Sequence, residues 1–186
     1  MGYHTFDVEE AERLEDAGSR YRYLSREELL AALSPREDDR IADLGSGTGF
    51  YTDDVAPHVA RVFAVDVQPA MHAHYREKGL PENVALVSST VAELPFGTDA
   101  LDGAFSTMTY HEFASPPAIA ELARVVAPGG RVVLVDWSAD GDGEAGPPLD
   151  ERYTAADAAD ALRDGGFEIH EETTRPETFL LVAGVT

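Results

Sequence analysis

Three glycines, Gly45, Gly47 and Gly49, stand in the run Ile41-Ala42-Asp43-Leu44-Gly45-Ser46-Gly47-Thr48-Gly49, between an apolar stretch and a helical pattern. Glycines at such a place let the chain turn tightly and let a ligand lie against bare backbone. A helix starting just behind the turn brings N–H groups and a positive dipole end to the same spot. Asp66 closes the next apolar run, 17 residues past Gly49. A carboxylate there can accept two hydrogen bonds from a ribose diol. In an open α/β sheet both features fall at the carboxyl ends of strands, where ligands bind.

The rest of the chain supplies that sheet. Residues 41–44, 61–67, 84–89, 101–108 and 131–137 read as strands, and valine is frequent in the last of them. Helical patterns separate them: Thr48 to Ala56, Pro69 to Lys78 with proline at its first position, and a helix capped by Ser115-Pro116 that ends at Pro128-Gly129-Gly130. Ser25-Arg26-Glu27-Glu28 is a capping box in front of Leu29, Leu30 and Leu33. Thr154 opens a late helix that closes at Gly165-Gly166, and Arg175-Pro176-Glu177 joins two final strands, 167–173 and 178–185. Strands alternating with helices predict a doubly wound, mostly parallel sheet with right-handed crossovers, and the terminal hairpin adds an antiparallel strand.

A dinucleotide fingerprint asks for Gly-x-Gly-x-x-Gly/Ala, whose last glycine allows close packing under a pyrophosphate. Counted from Gly45, that position is Phe50. A ligand with a ribose and no phosphate suits the turn better, which places an NAD-dependent oxidoreductase second. A binding module that keeps the pocket and has lost catalysis is a third reading.

These motifs resemble the class I S-adenosylmethionine-dependent methyltransferases, and within them the small type 11 group that includes quinone-biosynthesis C-methyltransferases. DLGSGTGFYT (43–52) is similar to the first motif and VDVQPAM (65–71) to the second. AELPF (92–96), LDGAFSTMTYHEF (101–113) and ARVVAPGGRVVLVDW (123–137) extend the likeness over nearly the whole chain. The resemblance implies a Rossmann-like sheet of about seven strands with the last antiparallel. It implies S-adenosyl-L-methionine as cofactor, S-adenosyl-L-homocysteine as product, and a small-molecule methyl acceptor. Asp43, Gly45, Ser46 and Gly47 would line the methionine end, with Tyr51 nearby. Asp66 would hold the ribose, Val67 and Met71 would flank the adenine, and Thr107 would face the sulfonium. Many relatives carry an Asp where this chain has Thr90, just before Val91, so a backbone group or the Thr90 hydroxyl would meet the adenine amine.

His111, beside Glu112 and just past the fourth strand, is the candidate general base, since a histidine near its ordinary pKa serves at neutral pH. Tyr110 is expected at the pocket wall, Asp136 at the border of the substrate, and Trp137 in the core more than in contact with the substrate. His72 and His74, two apart on a helix, are expected at the surface. No metal site is suggested. The run after the fourth strand, Ser106-Thr107-Met108-Thr109, lacks the Asn/Asp-Pro-Pro-Tyr of many amino-group methyltransferases.

Asp and Glu number 35 against 14 Lys and Arg, a formal net charge of -21. Such a chain should repel nucleic acid, whose binding needs a basic face. The surplus also predicts a cytoplasm rich in salt, because a charge of this size destabilises the compact state by self-repulsion unless it is screened. The acidic start is not a secretory signal, and no apolar run is long enough to span a bilayer. The chain is read as one domain, residues 1–36 forming a helical cap on a cofactor-binding core, 37–186. The segment holding Tyr3, Phe6, Arg20, Tyr21 and Tyr23 and the loop Asp140 to Pro148 are expected to cover the site.

Overall fold

The computed structural model describes residues 8–185; Tyr3 and Phe6 of the expected cover lie outside them. Strands β1 (Arg40–Leu44), β2 (Arg61–Asp66), β3 (Val84–Ser88), β4 (Leu101–Thr107), β5 (Val126–Trp137), β6 (Phe167–Thr174) and β7 (Thr178–Val185) make one sheet in the order β3-β2-β1-β4-β5-β7-β6. The first five run parallel, and β7 is antiparallel to both β5 and β6. The strand order reverses between β1 and β4, so the carboxyl ends of β1, β2 and β4 surround a crevice.

Alternation along the strands splits the core in two. Val132 and Leu134 of β5, with Phe179, Leu181 and Ala183 of β7, face one side; Val133 and Val135, with Leu180 and Val182, face the other. Period-two placement on a doubly covered sheet needs apolar residues on both faces, which explains the near-continuous valine and leucine of these strands. The first face is covered by α6 (Pro116–Val125) and α7 (Ala155–Asp164), the second by α2 (Arg26–Leu33), α3 (Phe50–Val55) and α4 (Pro69–Lys78).

The helix boundaries follow local chemistry. Ser25 accepts from the Glu28 amide at 3.1 Å, and Thr154 and Asp157 cap each other reciprocally. Pro69 and Pro116 sit at first helical positions. One boundary differs from expectation. Pro128-Gly129-Gly130 does not end α6 in a free turn: β5 begins at Val126, and the run bulges between the pairs Leu101–Val126 and Gly103–Arg131. Gly129 is left-handed at φ +81, and a Cβ on Gly130 would stand 2.7 Å from the Asp102 carbonyl oxygen, so only glycine fits the bulge.

Ahead of the sheet, a 3-10 segment (Val8–Glu15) and α1 (Ala17–Tyr23) lie over the carboxyl edge. Lys78, the only lysine of the chain, ties this cap down. Its ammonium reaches Glu15 at 3.0 Å and Asp53 of α3 at 2.9 Å, and Glu15 also accepts from the Thr48 hydroxyl. No helix among the described residues is long and apolar enough to cross a membrane.

Candidate functional site

The turn between β1 and α3 is closed by its own hydrogen bonds. The amides of Gly45 and Ser46 both donate to the Val65 carbonyl, at 2.8 and 2.9 Å, and the Gly49 amide to Ser46. The Gly47 amide donates to Asp66 Oδ2 at 2.8 Å, and the Gln68 amide to Asp66 Oδ1 at 2.8 Å. The amides of Gly45, Ser46, Gly47 and Gly49 are thus spent inside the turn, which offers bare Cα edges there, while α3 starts behind it at Phe50 with no side-chain cap. Gly45 and Gly49 are obligatory for shape. Both are left-handed, and a Cβ would stand 2.3 Å from Thr109 Cγ2 or 2.1 Å from the Tyr75 ring.

A cavity of about 280 Å³ opens against this turn. Gly45, Ser46, Gly47, Asp66, Val67, Met71, Thr90, Val91 and Thr107 all line it. Val67 stands 48% exposed at its rim, unusual for a valine closing a strand, and Met71 is buried in its wall. Both Asp66 oxygens are anchored by backbone amides, yet a carboxylate has about four acceptor positions, so two remain for a ligand. Beyond Thr107 the chain passes through Met108 at φ +59, a strained conformation for this residue type, on the cavity wall.

Three expected contacts do not line the cavity. Tyr51 is buried beneath the turn, its hydroxyl donating to the carbonyls of Arg20 at 3.0 Å and Leu24 at 2.9 Å, because α3 turns it toward the cap. Asp43 is buried under the loop, where Thr52 donates to it at 2.6 Å and burial lifts its carboxyl to about 7. His111 turns from the cavity to Asp136. The Asp136 carboxylate accepts the His111 amide at 2.6 Å, pairs with Nδ1 at 2.9 Å, and takes the Trp137 amide at 2.8 Å. Burial pulls the His111 pKa down, and the bond and charge of Asp136 outweigh it and hold the pKa above 6.5.

Other expectations on the surroundings change as well. Tyr110 is core, edge-on to Phe113, Tyr153 and Phe179. Trp137 does not line the cavity and packs edge-on against Tyr23. His72 is buried, Nδ1 lying 3.2 Å from Ser88 Oγ, since the inner face of α4 carries Met71, His72 and Tyr75 together; His74 is exposed as predicted. The loop from Asp140 to Pro148 contributes nothing to the cavity lining. It is stitched to the body by the buried pair of Arg152 and Glu177 at 3.2 Å. Arg152 Nε donates to Pro147, and Glu177 accepts the Glu144 amide, both at 2.8 Å. No group of metal-ligating side chains occurs among the described residues.

The cover is the cap. Leu14 and Arg20 line the cavity from above. The Arg20 guanidinium lies 4.8 Å from the Tyr51 ring centroid and 5.7 Å from that of Phe50. Its Nε is buried without a hydrogen-bond partner among the described residues, as is Ser46 Oγ. Buried donors are almost always paired, so two orphans lining one cavity mark a place for a polar ligand. Sequence reasoning placed Arg20 only in the cover and gave Glu112 no role, yet Glu112 lines the same cavity with Phe113. Burial, reinforced by Asp66 and Asp136 against the opposing His111, lifts the Glu112 carboxyl to about 7.

Comparison with known proteins agrees with this geometry. An uncharacterized methyltransferase of Mycobacterium tuberculosis is 32% identical over 156 residues, 83% of this chain and 59% of the relative. A demethylmenaquinone methyltransferase of Corynebacterium kroppenstedtii is 31% identical over 116 residues, 62% of this chain and 49% of that one. The chain thus spans little more than half the length of such relatives. The crystal structure of a SAM dependent methyltransferase from Aquifex aeolicus superposes with a TM-score of 0.88 at 27% identity, over 98% of this chain and 100% of that chain. The sequence profile described as "Methyltransferase domain" matches residues 42–134, the stretch that carries the glycine turn, Asp66, Thr107 and Glu112. On that match and that geometry, the chain belongs to the methyltransferase domain family.

Proposed function

We propose that this chain binds S-adenosyl-L-methionine and transfers its methyl group to a small-molecule acceptor, leaving S-adenosyl-L-homocysteine. One observation carries the reading. The cavity is lined by a guanidinium whose Nε has no hydrogen-bond partner among the described residues, by a glycine turn whose Gly45, Ser46, Gly47 and Gly49 amides are already bonded, and by a carboxylate held on backbone amides. An amino acid joined to an unphosphorylated nucleoside fits that set of groups. A pyrophosphate suits it less, because four amides of the turn are already bonded and Phe50 stands where close packing under a pyrophosphate asks for glycine or alanine.

In this reading Arg20 receives the carboxylate of the methionine end, where Gly45, Ser46 and Gly47 let it approach. Asp66 accepts the ribose hydroxyls. Val67 and Met71 flank the adenine, Thr90 and Val91 border its edge, and Thr107 faces the sulfur. Asp43 and Tyr51 act from beneath, Asp43 through its charge on Arg20 and Tyr51 by holding the cap. His111 is a positioning residue, since its bonds to Asp136 fix the short helix α5 (Tyr110–Phe113) at the acceptor side. The cofactor supplies an activated methyl group with a neutral leaving group. The chain's share is alignment in a dry cavity, which can lower such a barrier by about 7–11 kcal/mol.

Residues 1–36 work as the cap of one unit whose core is 37–186. The acid surplus fits a salt-rich cell interior and argues against nucleic acid as the acceptor. Titration calorimetry with S-adenosyl-L-homocysteine and NADH side by side tests the reading. Saturable binding of the first alone is expected; binding of NADH with no binding of the nucleoside thioether would overturn it.

A further inference from the structure

The cavity wall holds three ionisable side chains among the described residues: Arg20, Asp66 and Glu112. Two have tasks in the reading above. Glu112 has none, and among the described residues its carboxylate has no hydrogen-bond partner. Its place is nevertheless firmly set. The Glu112 amide donates to the Thr109 carbonyl at 2.9 Å, and the preceding residue is pinned through both amide and ring to Asp136. The Asp136 carboxylate is only 1% exposed. This turn leaves β4 directly after Thr107 and Met108, so the carboxylate belongs to the end of the cavity where the sulfur is expected.

We propose that Glu112 is the counter-charge to the cofactor's sulfonium and takes up the acceptor's proton as that charge is lost, so that the acceptor presents a neutral N–H or O–H nucleophile on a molecule without a nearby negative charge. The proposal rests on the cofactor reading. In the step, a lone pair of the acceptor forms the bond to the methyl carbon. The methyl–sulfur bond breaks and its electron pair stays on sulfur. The acceptor's proton passes to the Glu112 carboxylate and leaves later to solvent.

The chemistry is self-timing. A cation beside a half-buried carboxylate favours its ionised form. Once sulfur is neutral that support is gone, while Asp66, Asp136 and the burial of Glu112 itself still oppose its charge, with His111 alone pulling the other way. The carboxylate therefore becomes a stronger base in the same event that makes the acceptor's proton acidic. Arg20 is the one Lys or Arg side chain lining the cavity among the described residues, and the cofactor reading gives it to the methionine carboxylate. An anionic acceptor group placed in the cavity would face Glu112 and Asp66 unpaired, an arrangement that specificity by repulsion exploits.

Calorimetry of the whole chain at pH 7, in two buffers of different ionisation enthalpy, counts the protons exchanged on binding. A carboxyl raised to about 7 is partly protonated there, so S-adenosyl-L-methionine should release a measurable fraction of a proton and S-adenosyl-L-homocysteine far less. Glu112→Gln should erase that difference, and Glu112→Asp should keep part of it. Equal proton counts for the two ligands in the unaltered protein, or a difference untouched by Glu112→Gln, would overturn the proposal. If neither ligand binds, it is the cofactor reading that falls, and this one with it. Saturation-transfer NMR on the protein loaded with S-adenosyl-L-homocysteine, using phenol, aniline and benzoate as probes, tests the acceptor class. Phenol and aniline should bind, and benzoate should bind only to Glu112→Gln. Benzoate signals alike in both proteins, or none from phenol and aniline, would refute the acceptor restriction.

Discussion

The Tyr51 hydroxyl donates to the Arg20 carbonyl at 3.0 Å while the Arg20 guanidinium lies over the Tyr51 ring at 4.8 Å, so one tyrosine fixes both ends of the residue that reaches into the cavity. Nothing else with a positive charge lines that cavity among the described residues. Arg20→Met should weaken S-adenosyl-L-homocysteine binding by about ten- to a hundredfold, the worth of a charge-assisted hydrogen bond. It should leave 5′-methylthioadenosine, which lacks the amino acid, nearly unaffected. Calorimetry with the two ligands measures this, and equal losses would remove Arg20 from the carboxylate. Tyr51→Phe, which strips two buried carbonyls of their donor, should cost about 1–3 kcal/mol of stability.

Gly45 faces a second constraint. At φ +76 it is left-handed, and the position of a Cβ lies 2.3 Å from Thr109 Cγ2 and 2.7 Å from Thr109 Cβ. Gly45→Ala must pay backbone strain of about 1–2 kcal/mol and overpacking of about 1–3 kcal/mol together. For a chain of this size that corresponds to a fall of about 4–20 °C in Tm. Gly79→Ala is the control, since its added Cβ meets nothing within 4 Å and only the strain of φ +102 remains. Thermal unfolding of the two variants should rank Gly45→Ala well below Gly79→Ala.

Asp43 gives the fold a pH signature. Burial lifts its carboxyl from 3.8 to about 7, with the Thr52 bond and Arg20 pulling the other way. A raised carboxyl ionises in the unfolded chain first. Its contribution is therefore neutral below about pH 3.8, turns unfavourable as pH climbs toward 7, and is level above. The full difference is on the order of 4 kcal/mol as an upper bound. Asp43→Asn keeps an oxygen for the Thr52 hydroxyl and removes the charge. Its Tm advantage over the unaltered protein should grow from pH 4 to pH 7 and then stay constant. An advantage independent of pH would show that Asp43 is ionised throughout.

What the sequence disclosed and what it withheld divide by range. Pro69, Ser115-Pro116 and the Thr154–Asp157 capping pair act on their own neighbours, so helix starts are legible one residue at a time. The alternation of β5 and β7 likewise reads directly as a doubly covered sheet. The ligand turn and Asp66 are legible because their geometry is backbone geometry. Arg20 is not, because its aim depends on Tyr51, Lys78 and Glu15, which meet only once the cap has docked. His72 is buried by a hydrogen bond to Ser88, 16 residues away on β3, which helical spacing alone does not encode. The loop from Asp140 to Pro148 has the composition of a mobile cover, yet a distant Glu177 and the buried Arg152 hold it.

The charge surplus has a measurable consequence. With 35 acids and 14 Lys and Arg, even complete pairing leaves 21 acids without a cation. Salt acts on both populations. It weakens exposed pairs such as Arg22–Glu144, at 3.7 Å with side chains 67% and 70% exposed, but such pairs are worth little. It also shortens the reach of the repulsion among the unpaired acids, from about 10 Å at 0.1 M to about 3 Å at 1 M. The second effect involves more charges at longer range, so it wins. Tm should rise steadily as KCl goes from dilute buffer toward molar concentrations, and most of the gain should come before the screening length falls below the spacing of neighbouring carboxylates. Scanning calorimetry across that series checks the sign. A Tm as high in dilute buffer as in molar KCl would mean that the acids repel too weakly to matter, and would remove the ground for assigning the protein to a salt-rich interior.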